Sequence, residues 1–253
     1  IKFLNLLTIK KINGEYVRSA NPALNKYTFR VQRMAGEASM TVDGTVNKTG
    51  ILLGLCFFGA IISWNIPNPL LMAGGALIGF ALAMYTSFVP RNAGITAPIY
   101  AFLKGLFLGG ISLVLEMQYP GIAIQAVGLT FGTLASLLFF YKSGLIKPTE
   151  NYRLMIFSAT LGIMILYLVN FVMSFFGAGI GFIHSNGIFG IGFSLFVVGV
   201  AALNLVLDFD FIEQGAENSL PKYMEWYGAF SLMVTLIWLY LEILRLLAKL
   251  RSR

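Results

Sequence analysis

Few side chains in this sequence could do chemistry in apolar surroundings, and most of them fall in one stretch. In GFSLFVVGVAALNLVLDFDFIEQGA, the residues Asn204, Asp208 and Asp210 interrupt a hydrophobic run. Ionisable groups at membrane depth are costly and mark a functional site by default. Acids at a helix C-terminus also oppose the macrodipole, so local helix stability does not account for them. Asn204 and Asp208 are four apart and share a face, whereas Asp210 is rotated by about 200° from Asp208 at 3.6 residues per turn. The pattern predicts an inward pair of Asn204 and Asp208, with Asp210 and Glu213 nearer the membrane edge. Asn204, Asp208 and Asp210 offer oxygen ligands of the kind hard cations take, with Asp208 the candidate for transient contact. The competing reading ends the helix early and makes DFDFIE the solvated start of a loop.

Lys104 is the other anomaly, embedded in PIYAFLKGLFLGG. Six residues from Pro98 place it about 9 Å into its helix, at a depth similar to that of Asp208. Two readings stay open: an ion pair with Asp208, or a side chain that snorkels to the interface. Glu116 and Glu242 fall near the outer ends of their stretches and are expected at the interface, where Glu242 can pair with Arg245 one turn on. The single histidine, His184, makes no metal site alone. The single cysteine, Cys56, lies in an apolar run and is expected to be buried and inert. No phosphate loop, HExxH or Ser or Cys nucleophile with a histidine base occurs, so neither an enzyme nor a cofactor is expected.

The elements that must carry these residues follow from composition. Hydrophobic residues make up 57% of the 253 and charged ones only 11%, against about 25% charged in soluble domains. Lipid must cover the remainder. A helix crossing about 30 Å of hydrocarbon needs roughly 20 apolar residues, and seven stretches serve: about 50–66, 69–89, 98–117, 120–141, 153–176, 188–211 and 223–248. The fold class is an all-α polytopic membrane bundle. Residues 1–48 form a basic tail and 49–250 the transmembrane domain. No small-residue cleavage site follows the opening stretch. Small-xxx-small spacings at Gly75 and Gly79, Gly105 and Gly109, and Gly128 and Gly132 predict helix contacts.

Orientation follows from Lys and Arg. The tail carries eight, Lys2, Lys10, Lys11, Arg18, Lys26, Arg30, Arg33 and Lys48, and the second, fourth and sixth loops carry Arg91, then Lys142, Lys147 and Arg153, then Lys222. The first, third and fifth loops carry none, so the N-terminus is expected inside. Arg245, Lys249, Arg251 and Arg253 conflict with this if the last stretch spans, and a re-entrant last helix is the alternative. The formal charge of +7 suits an anionic membrane surface. Without an aromatic-interleaved basic face, nucleic acid is not an expected partner.

Several runs together resemble a known family: MTVDGTVNKTG (Met40 to Gly50), YPGI (Tyr119 to Ile122), the stretch from Gly190 to Ala216, and KYMEWYGAFSLMVTLIWLYLEILRLL (Lys222 to Leu247). Over roughly residues 20 to 250 the chain is similar to the bacterial Bax inhibitor-1-like membrane proteins. The resemblance implies a Bax inhibitor-1-like bundle of seven helices, the last surrounded by the others, in a bacterial inner membrane, and a pH-sensitive calcium leak. It also implies an aspartate in the sixth helix paired with one in the seventh, and a basic residue between the second and third helices that joins this latch. Asp208 matches the first aspartate and Arg91 the basic residue. The second aspartate is absent, and an ungapped count places it near Met233. Two functions follow as expectations: a cation pathway controlled at Asp208 by Arg91 or Lys104, or a non-conducting protein that modulates a membrane protease or another membrane partner.

Overall fold

A computed structural model describes residues 38–177, 181 and 185–252. Seven helices are long and apolar enough to cross a membrane: α1 (Val42–Asn65), α2 (Pro69–Phe88), α3 (Ala93–Gln118), α4 (Ile122–Lys142), α5 (Glu150–Ser174), α6 (Ile188–Glu217) and α7 (Met224–Arg251). Their starts are written in the sequence. Thr41 caps α1 by accepting from Gly44 N–H at 3.0 Å, Asn68 caps α2 at Leu70 N–H at 2.8 Å with Pro69 at the first position, and Thr149 caps α5 at Tyr152 N–H. The α4 start lacks such a residue; Glu116, reaching from α3, accepts from Gly121 N–H at 2.5 Å and Ala123 N–H at 3.0 Å.

Two boundaries differ from the hydropathy reading. Residues 42–48, read as tail, are the first turns of α1; Lys48 looked like solvated chain, but its amine meets a carboxylate inside the bundle. The acidic run DFDFIE does not open a loop, because α6 continues to Glu217. The rest of the tail, its basic residues up to Arg33, and His184 lie outside the described residues.

Helix α7 is the axis. Sixty-one per cent of its apolar window is buried, against 11% for α5 at the edge, and it packs against α1, α3, α4 and α6. It is one unbroken helix. At its start Glu225 meets the beginning of α1, and at its end Arg251 donates to Pro120 O at 2.6 Å and Gln125 Oε1 at 2.9 Å in the α3–α4 turn. The last helix is therefore long, apolar and continuous enough to cross, without a re-entrant turn, and its basic end lies at the end of the bundle opposite the start of α1. The α1–α3 contact is close because Gly105 and Gly109 put no side chain against the Cys56 and Ala60 carbonyls, and Gly75 likewise faces Leu103 O. Gly79 faces the Lys104 side chain. The expectation fails at Gly128 and Gly132, which are exposed with open space where a Cβ would stand; their spacing is periodic, but that side of α4 faces outward.

Candidate functional site

Asp208 sits on the side of α6 that faces α7, 8% exposed. Its Oδ1 accepts from Ser231 Oγ at 2.6 Å, while Oδ2 is buried with no hydrogen-bond partner among the described residues. A buried carboxylate oxygen left so is costly unless something polar meets it. Beside it lies a cavity of about 160 Å³ lined by Ser87, Asn204, Asp208, Tyr227, Ser231 and Thr235, with Phe211 and Phe230 among its apolar walls. A water needs roughly 10–15 Å³ of such space, so the cavity has room and polar partners for several waters or a hydrated cation.

Asn204 and Asp208 line this cavity together, as their spacing of four implies. Asn204 Nδ2 donates to Thr160 Oγ1 at 2.9 Å and to Val200 O at 2.8 Å, so its carbonyl oxygen is the atom left for the cavity. Asp210 points away, as the rotation requires. It binds Arg153 Nη2 at 2.6 Å and Gln214 Nε2 at 2.9 Å, tying α5 to α6. Glu213 accepts from the Tyr141 hydroxyl.

The two expected basic partners of Asp208 do not reach it. Lys104 lies on the α2 side of α3, where Nζ donates to Ala76 O at 3.4 Å and stands 5.7 to 6.0 Å from the ring centres of Phe107 and Tyr100. The face of α3 that carries Lys104 looks to α2, and face decides partnership. Arg91 is exposed on the 3₁₀ turn Pro90–Asn92, four residues after Ser87 of the cavity wall, and among the described residues no ion pair joins it to Asp208. The residue opposite Asp208 on α7 is Ser231, not Met233, whose side chain is buried toward α1 and α3. A hydroxyl therefore stands where a second carboxylate was sought.

One charged cluster is not anticipated by the sequence, and a second is anticipated only as the pair of Glu242 with Arg245. At the start of α7, the fully buried Glu225 accepts from Thr41 N–H (2.9 Å), Thr41 Oγ (2.8 Å), Lys222 Nζ (2.8 Å) and Lys48 Nζ. This explains the run MTVDGTVNK. Met40 N–H donates to Leu220 O, Thr41 caps α1, Gly44 leaves the room that Glu225 fills, and Lys48 supplies the charge. At the other end of α7, Glu242, expected at the interface, is 2% exposed and bound to Tyr167 and Arg245.

Another cavity, about 240 Å³ between α1, α3, α4 and α7, is lined by Cys56, Trp64, Leu108, Phe131 and Tyr240 among others, with no charged side chain. Cys56 is buried and unpaired with another cysteine. No group of three or more His, Cys, Asp or Glu able to hold a metal occurs among the described residues.

A family model described as Bax inhibitor 1 like matches residues 21–252. The chain belongs to that family. The match covers nearly the whole chain, including every helix and the Asp208 cavity. No curated protein and no solved structure matches the chain.

Proposed function

We infer that this Bax inhibitor 1 like protein is a pH-sensitive cation leak pathway, calcium-permeable, in a bacterial plasma membrane, with its N-terminus and the Asp208 cavity on the cytoplasmic side. One observation carries the reading: a buried carboxylate with an unpartnered oxygen faces a polar cavity between two membrane-spanning helices. In the conformation described, the Ser231 hydroxyl holds one carboxylate oxygen. The cavity supplies oxygen ligands from Asn204, Ser231 and Thr235 beside Asp208, suited to a hard cation that binds and leaves. Protonating Asp208 removes the negative charge, which gives pH sensitivity from one carboxylate without a second. Arg91, four residues after Ser87 of the cavity wall, is the basic residue proposed to oppose cation entry from that side. Calcium flux into liposomes, compared between wild type and Asp208→Asn, tests this.

The alternative is a non-conducting protein that modulates a membrane protease or another membrane partner. The exposed Gly128 and Gly132 face of α4 favours it, since small residues let a partner helix approach closely. Wild-type liposomes without flux would turn the reading in that direction. Neither reading requires catalysis or a resident cofactor.

A further inference from the structure

Six residues of α7, Ser231, Thr235, Trp238, Glu242, Arg245 and Lys249, recur at alternating spacings of four and three, which puts them on one face of the helix. That face looks toward α5 and α6 along its length, and its character changes in three steps. Ser231 and Thr235 belong to the Asp208 cavity. Trp238 packs against Ile163, Val197 and Val200, an apolar plug. Beyond the plug come charges again. Glu242 accepts from Tyr167 Oη at 3.1 Å and from Arg245 Nη1 at 3.0 Å, Arg245 also donates to Tyr167 Oη at 2.6 Å, and Lys249 Nζ donates to Gly190 O at 3.0 Å and Ser194 Oγ at 2.9 Å. Eleven residues separate Ser231 from Glu242, about 16 Å along the helix, and seven residues, about 10 Å, span the plug from Thr235.

The two partners of this ion pair differ in a way that matters. Glu242 is 2% exposed, whereas the Arg245 side chain is 43% exposed. A buried carboxylate must be accompanied by positive charge; the buried Lys249 contributes to it from seven residues on, but the cation that binds the carboxylate directly is a long, half-exposed side chain able to swing outward. A mere i, i+3 staple would do as well on the helix surface, without burying the acid against α5. We propose that Glu242 is an outer cation site of the same pathway, occupied in this conformation by the protein's own Arg245, which a divalent cation displaces. The inference rests on the pathway reading for its role, although not for the site itself. The seam then has a carboxylate at each end and an apolar constriction between them, an arrangement in which a cation is received, held weakly and released once the plug hydrates.

Terbium tests the site without any flux. Trp238 precedes Glu242 by four residues on the same face, so Tb³⁺ at Glu242 is sensitised by tryptophan excitation. In detergent-purified full-length protein, Arg245→Ala is expected to raise Trp-sensitised Tb³⁺ luminescence several-fold over wild type. Adding Glu242→Gln or Trp238→Phe returns it to the wild-type level. Equal luminescence in Arg245→Ala and the Arg245→Ala, Glu242→Gln double variant overturns the site. Should Arg245→Ala fail to fold, Arg245→Gln, which keeps a polar side chain, carries the same comparison. In liposomes, Arg245→Ala raises calcium flux and Glu242→Gln lowers it. Wild-type flux that neither variant changes overturns the role in the pathway. Terbium binding without wild-type flux leaves the outer site standing and removes the pathway reading instead.

Discussion

Removing the Glu225 carboxylate should cost the fold about 3 kcal/mol, a value that follows from who is left behind. Two donors from Thr41 lose a charged acceptor, each such hydrogen bond being worth roughly 1.5–3 kcal/mol before relaxation. Lys48, whose side chain is only 16% exposed, loses its counter-charge, whereas Lys222, at 51%, returns to water at little cost. Breaking a buried pair by deleting one partner typically costs about 3–5 kcal/mol, and the half-exposed Lys222 shows that water reaches this edge, which favours the low end. The assay is chemical unfolding of Glu225→Ala in mild detergent, followed by fluorescence of Trp226, whose ring lies 5.5 Å from Lys48 Nζ. Lys222→Ala serves as the control and should cost under about 1 kcal/mol. If Glu225→Ala falls within about 1 kcal/mol of wild type, or no further from it than Lys222→Ala, the clamp between α1 and α7 does not hold the fold as argued.

Leucine at Gly105 or Gly109 should force α1 and α3 apart at the Cys56 and Ala60 carbonyls and cost roughly 1–3 kcal/mol in the same unfolding assay. Leucine at Gly128 or Gly132 should leave the monomer's stability unchanged, and equal losses at all four positions would contradict the packing. Glu116→Ala removes the acceptor at the α4 N-terminus and should cost about 1 kcal/mol; protection of the Gly121 and Ala123 amides from hydrogen exchange should fall with it. A reporter at the N-terminus should read cytoplasmic and one after Arg251 external, since α7 crosses completely; finding both on one side would contradict the span count.

The spans were legible because hydropathy over twenty residues is a strong signal and the caps at Thr41, Asn68 and Thr149 are local. Asp208 and Asn204 were legible as a shared face, and Asp210 as the odd one out, because rotation per residue is fixed within one helix. Partnership between helices was not. Lys104 turns to Ala76 on α2 and not to Asp208, and Gly128 has the spacing of a contact without the neighbour, since neither facing nor neighbour is a property of one segment. The role of Glu225 was not legible because its partners on and before α1 lie 177 and 184 positions away. A signal did exist: MTVDGTVNK combines a cap, a glycine and a lysine that no single helix start requires. Ser231 could not be found by counting toward a carboxylate, because a hydroxyl fills the place.

The central claim is that Asp208 carries the charge that governs cation passage, and calcium flux in liposomes measures it most directly. Wild-type protein should admit calcium with a rate that depends on pH. Asp208→Asn should lower that rate several-fold at neutral pH and flatten its pH dependence, while its unfolding stays near wild type because the amide still accepts from Ser231. Equal flux and an unchanged pH profile in wild type and Asp208→Asn would contradict the account.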